Sequence, residues 1–254
     1  MLGAHVSQDA IASCKEETLV TKSIFVALSA AFAAFAVHGG SLLANVIAPS
    51  GLAPGSQYLL IFVTAGVHDA VDTDIEIYNS FVTVEASQGL AFGMPSGATW
   101  HAVASTDDVD ANVNAPSGAL PVYNTAGQRV VAPGVGIYTG VLDNLVAYDQ
   151  FGNVSVAAQE ENVWTGSDFQ GFGVADATLG ADSGDSEMGR VALDSTWLQF
   201  AIVPQFGEVT FAKPLYALST PITVPVPEPA TVTLVISALL LGGWRLRAVK
   251  RSVK

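Results

Sequence analysis

Two stretches without a single charged residue, Ser23–Val37 and Thr231–Trp244, bracket this chain and decide how much of it is left to build a folded body. The first reads SIFVALSAAFAAFAV, follows Lys15 and Lys22, and gives way to HGGSLLAN, small residues of the kind a signal peptidase cuts beside. Its 15 residues fall short of the roughly 20 that a membrane-spanning helix needs and match the apolar core of a secretory signal peptide. Residues 1–44 are therefore read as a signal peptide with an extended n-region, Ala44 being the favoured last residue and Gly39 or Gly40 the alternatives. Glu16 and Glu17 sit oddly in such an n-region, and a misplaced start codon would account for them.

The second run, TVTLVISALLLGGW, has 14 residues, about 21 Å as a helix against a hydrocarbon core of about 30 Å. Its flanks extend it. Trp244 suits the membrane interface, and Arg245 and Arg247 can snorkel outward along their own aliphatic stems. Arg245, Arg247, Lys250, Arg251 and Lys254 follow as a basic cluster, which by the positive-inside rule stays cytoplasmic and leaves the preceding domain outside. The signal peptide demands the same orientation. The expectation is a transmembrane helix over 231–244 with a cytoplasmic basic tail over 245–254.

Just before the run stands VPVPEPAT, where each proline fixes its own φ and biases the preceding residue toward extended backbone. A stiff, extended stretch beside a membrane is a good substrate for an enzyme that grips a chain in order to cut it. Pro227-Glu228-Pro229, the short apolar run and the basic terminus together resemble the PEP-CTERM sorting signal of Gram-negative bacteria. That resemblance implies recognition by an exosortase, an integral-membrane enzyme that processes such tails in species making extracellular polysaccharide. The uncut alternative is an ordinary C-terminal anchor.

Between the two ends, Asn45 to Val226 carries three basic residues (Arg129, Arg190, Lys213) against nineteen acidic ones, a formal charge of −16. Such a field repels phosphate, which argues against nucleic acid or any other polyanion bound through a basic patch. Cys14, the lone cysteine, lies upstream of the cleavage site, so the mature domain has no thiol nucleophile, no thiolate zinc site and no disulfide. Only His68 and His101 survive maturation.

The middle reads as α+β. QYLLIFVTAG has the β-branched and aromatic content of a strand. In VDTDIEIYNSFVTVEASQG, Thr73 and Glu76 fit a capping box, Ile75, Tyr78 and Val82 recur at helical spacing, and Gly89 lies beyond the end. Short strands follow: ATWHAVAST, two around Asn124 and Gly127 in LPVYNTAGQRVVAP, and NLVAYDQFGNVSV turning at Asp149, Gly152 and Asn153. Ala175 to Gly189 is expected as a long loop rich in Gly, Ser and Asp. Further strands are expected in WLQFAIVPQFGEVTFAKPLYALS, broken at Pro204, Gly207 and Pro214, and STPITVPVP is read as a linker. The extracytoplasmic domain is thus placed at 45–219, and the linker with its PEP motif at 220–230.

The order strand, helix, Trp100, LPVYNTAGQRV, YDQFGN, VWTGSDFQG, a small-residue loop and PLYALS resembles the C-type-lectin-like fold, in particular its endostatin-type variant. The resemblance, dispersed over Tyr58 to Ser219, implies a lectin-like domain with one early amphipathic helix and many short strands; an all-β sandwich is the alternative. Departures from the family matter for function. Its disulfides have no counterpart, its Glu-Pro-Asn and Trp-Asn-Asp calcium signatures are missing, Glu160-Glu161-Asn162 being only an echo, and heparin binding of the endostatin kind would need arginines that this domain lacks. Fold similarity therefore carries no site with it.

Candidate chemistry is thin. Asp176, Asp182, Asp185 and Glu187 offer hard oxygens on one loop, the donors calcium takes, but their spacing is not that of an EF-hand, and a solvated acidic loop is the plainer reading. Asp182, Asp185 and Glu187 are kept as the possible calcium ligands; Asp107, Asp108 and Asp110 form a second acidic cluster. Trp100, Trp164 and Trp197 could stack on sugar rings but are better read as core residues with satisfied indole N–H groups. Glu160 and Glu161 would point to opposite faces of a strand and so cannot converge as a glycosidase pair. His68 beside Asp69, and His101 near Ser105, lack a nucleophile elbow of the G-x-S-x-G kind.

The expectation is accordingly a non-enzymatic, exported protein with no resident cofactor. It would be delivered through the Sec machinery and signal peptidase, held first in the inner membrane with its domain in the periplasm, and processed by an exosortase. From there it would reach the cell surface or extracellular matrix, with extracellular polysaccharide as a possible contact. A carbohydrate-binding module and, behind it, a polysaccharide hydrolase are the alternatives.

Overall fold

The computed structural model describes residues 46–156, 162–205 and 211–226. The signal peptide, Glu160 and Glu161, Gly207, Pro227-Glu228-Pro229, the 231–244 run and the basic cluster through Lys254 all lie outside the described residues. Among the described residues no helix is long and apolar enough to cross a membrane.

The fold is organised around β1, Gln57–Val63. Every residue from Leu59 to Val63 is at most 2 % exposed. Because side chains alternate along a strand, a run buried throughout needs a core on each face. The packing supplies two. Leu59, Ile61 and Val63 join Val122, Val130, Ile137, Trp197, Tyr216 and Leu218 on one side. Leu60 and Phe62 join Tyr78, Val82, Trp100, Trp164, Leu215 and Ala217 on the other. Each such side chain taken fully out of water contributes about 1.5–3 kcal/mol before entropy is counted.

The helix α1, Ile75–Gln88, covers the second face. Ile75, Tyr78 and Val82 point inward as their spacing predicts. The cap is displaced by one residue: Asp74, not Thr73, accepts the Glu76 backbone N–H, at 3.0 Å. Gly89 ends the helix with φ −77°, so it is not a left-handed cap. Space requires it instead, since a Cβ there would collide with the Gln150 carbonyl and lie 2.5 Å from Met94 Cγ. Gly89–Phe92 continues as a 3₁₀ turn that Gly93 ends at φ 100°.

The remaining strands are β2 (Trp100–Ala102), β3 (Val122–Asn124), β4 (Arg129–Val131), β5 (Val163–Trp164), β6 (Asp185–Gly189), β7 (Ala201–Pro204), β8 (Tyr216–Ser219) and β9 (Ile222–Thr223). A one-turn helix, α2 (Ala111–Asn114), follows β2. The main sheet runs β2-β8-β1-β3-β4, with β9 also on β1; β5-β6-β7 form a second sheet. In register, Ile61 faces Leu218 of antiparallel β8, and Leu59 faces Val122 of parallel β3. Late chain therefore returns to lie beside early chain. The Tyr148–Val154 bridge closes on the expected turn, where the Asp149 carboxylate accepts the Phe151 and Asn153 amides, both at 2.9 Å.

Two segments differ from expectation. Asp185–Gly189, expected within a long loop, is the middle strand of the second sheet, paired with Ala201–Pro204 and Val163–Trp164. Ile222–Thr223, within the segment read as linker, forms β9 against Gln57–Tyr58. The architecture is α+β: one substantial helix and many short strands in two sheets.

Candidate metal centre

The chain leaves β1 at Val63 and must turn before α1 begins at Ile75, and this connection is tied down from several directions. The Glu85 carboxylate, buried on α1, accepts the Gly66 amide at 2.7 Å. His68 and Lys213 exchange both backbone hydrogen bonds, each 2.9 Å. Gly180 donates its N–H to the Ala70 carbonyl at 2.7 Å. Gly180 has φ 73°, and a Cβ there would strike the Asp72 carbonyl and lie 2.7 Å from Thr73 N, so glycine is required for both conformation and clearance. The Tyr78 hydroxyl accepts the Asp72 N–H at 3.0 Å and donates to the Asp72 carbonyl at 2.9 Å. Burial, with the Asp72 and Asp69 carboxylates nearby, pushes the Tyr78 hydroxyl well above the usual tyrosine range, so it remains a donor.

On this braced loop stand His68, Asp69 and Asp72, each half-buried, each offering a ligand atom within 4.8 Å of the others. Among the described residues they are the one group of three or more His, Cys, Asp or Glu side chains that converge in this way. The His68 ring is packed against Tyr78 and Phe81, with centroids 5.4 and 5.0 Å away. Its Nδ1 lies 2.8 Å from the Asp69 carbonyl and 3.5 Å from Asp69 Oδ1. Asp69 Oδ1 is buried and accepts no hydrogen bond.

The acidic residues singled out in the sequence go elsewhere. Asp182 is exposed on a turn, Asp185 opens β6 half-buried, and Glu187 is only 3 % exposed in mid-strand. They are not gathered as the His68 group is. Burial pushes the Glu187 carboxyl above the usual carboxylate range, partly offset by the Phe200, Ala201 and Met188 amides, and its Oε1 accepts no hydrogen bond. Asp107 accepts from the Thr178 hydroxyl and Asp110 from the Gly173 amide, at 2.7 Å for the latter, so both fasten loops together.

The three tryptophans are at most 3 % exposed and offer no face to a sugar. Trp164 Nε1 donates to the Phe211 carbonyl at 3.3 Å, whereas Trp197 Nε1 has no partner, against the expectation of a satisfied indole. Ser105 is fully buried and engaged by Ser167 Oγ and the Ala111 amide, both at 2.8 Å, so it is not presented as a nucleophile.

Sequence reasoning noted His68 next to Asp69 but missed Asp72. The available signal was the spacing His-Asp-x-x-Asp between a strand and a helix. The unpartnered Asp69 oxygen and the brace from Gly180 have no local sequence signature. No protein-family model matches the chain, and no curated protein matches its sequence.

Proposed function

We propose that the protein is exported and sorted through its C-terminal signal by an exosortase, and that it acts without catalysis as a component of the cell surface or extracellular matrix. One observation carries this reading from the structural side: every buried apolar side chain among the described residues lies between Leu59 and Leu218. Both core clusters fill from within that range, with partly buried Val46 and Ile222 at their margins. The globule thus has a core to which Pro227 and everything after it are dispensable, which is what a removable tail requires. Val226 is 67 % exposed beside Gly55, so the chain approaches the Pro-Glu-Pro motif from the surface.

The lectin-like reading of the domain belongs to the same proposal. It is supported by the early helix behind the first strand, by the PLYALS segment returning as buried β8 beside β1, and by the sheet-forming VW pair at β5. A core dense enough to bury three tryptophans accounts for holding such loops without disulfides.

The test is to replace Pro227, Glu228 and Pro229 by alanine and follow both proteins by fractionation in a host that carries an exosortase. The native chain is expected in the surface or extracellular fraction and the variant in the inner membrane. Identical distribution of the two would refute the sorting role.

A further inference from the structure

We propose that His68, Asp69 and Asp72 bind a divalent transition cation of the zinc class, through one imidazole nitrogen and one oxygen from each carboxylate. The donor set decides the metal. Calcium takes 6–8 oxygens and has little use for imidazole, whereas one nitrogen and two carboxylate oxygens, completed by water, suit a four-coordinate zinc ion. A tetrahedral zinc centre with bonds of about 2.0–2.2 Å places its ligand atoms about 3.4 Å apart. The 3.5 Å between His68 Nδ1 and Asp69 Oδ1 is already that length, and the whole trio falls within 4.8 Å.

Three further observations point the same way. Asp69 Oδ1 is buried without a hydrogen bond, and a buried carboxylate oxygen left unsatisfied is costly unless a cation or donor reaches it. The loop is braced by Lys213, Gly180 and Tyr78, so little order is lost when a ligand binds. The His68 ring is held by Tyr78 and Phe81, as a metal-ligating imidazole must be held by its surroundings. A neutral imidazole carries one hydrogen on two nitrogens and so always keeps a lone pair to donate. Two carboxylates balance the charge of a divalent ion, and the −16 domain raises the local concentration of cations. This site is separate from the Asp182, Asp185 and Glu187 loop and does not depend on the sorting proposal.

The test uses the full chain in detergent, stripped with EDTA and titrated with Zn²⁺, then Ca²⁺, by calorimetry. Asp69→Asn, Asp72→Asn and His68→Ala are compared with Asp182→Asn. Asp69→Asn is nearly isosteric and breaks no Oδ1 hydrogen bond, so it guards against variants that merely misfold; melting in EDTA checks the rest. The expected result is one Zn²⁺ bound per chain at this site with no comparable heat from Ca²⁺. Affinity should fall at least about tenfold in each of the first three variants and stay unchanged in Asp182→Asn. Zinc binding that ignores Asp69→Asn and His68→Ala, absence of zinc binding, or equal response to calcium would each overturn the proposal.

Discussion

At the scale of single residues, the fold spends its acidic side chains in two different ways. Glu85, though 6 % exposed, has its carboxylate satisfied by the Gly66 amide at 2.7 Å, Gln150 Nε2 at 2.8 Å and Gln88 Nε2 at 2.9 Å. Glu187 has no hydrogen bond on Oε1, and burial lifts its pKa. The folded protein therefore holds this proton more tightly than the unfolded chain does. Between the ordinary glutamate range near pH 4.3 and the raised folded value, the folded state binds more protons, so stability falls as pH rises through that window. Glu187→Gln should remove this fall, leaving the variant about 1–3 kcal/mol better off relative to wild type at neutral pH than at pH 4, the scale of one buried unsatisfied acceptor. Urea melts at the two pH values measure it; parallel pH profiles for both proteins would show that Glu187 is paired in solution.

Elements were legible where local chemistry and tertiary packing agree. β1, α1, the β3-β4 pair and the Asp149 turn each announce themselves within about ten residues, by apolar run, helical spacing or turn chemistry. β6 did not, because Asp-Ser-Glu-Met-Gly has none of the β-branched or aromatic residues that mark a strand; it is extended because β5 and β7 hydrogen-bond it on both sides. β9 was hidden for a related reason, its two residues being defined by pairing with β1 across more than 150 residues of chain. The candidate metal centre shares that difficulty: His68 and Asp69 are adjacent, but what organises them arrives from Tyr78, Gly180 and Lys213. The helix start was misread by one residue, and that distinction is measurable. Asp74→Ala should destabilise the domain by about 1 kcal/mol, the usual worth of an N-cap, whereas exposed Thr73→Ala should stay within about 0.5 kcal/mol in the same denaturant titration. The reverse order would restore Thr73 as the cap.

For the whole molecule, a body of formal charge −16 that buries its tryptophans, engages Ser105 and braces its one converging ligand cluster fits a robust exported scaffold better than a processing enzyme. That account treats residues 1–44 and the segment from the Pro-Glu-Pro motif onward as instructions for delivery, and residues 45–226 as what is delivered. The most direct measurement is the intact mass of the protein recovered from the surface or medium of an exosortase-bearing host. The account predicts a chain that begins after Ala44, or after Gly39 or Gly40, and has lost the apolar run and basic cluster beyond Pro229. Recovery of the full 26.2 kDa chain, with either end retained, would contradict it.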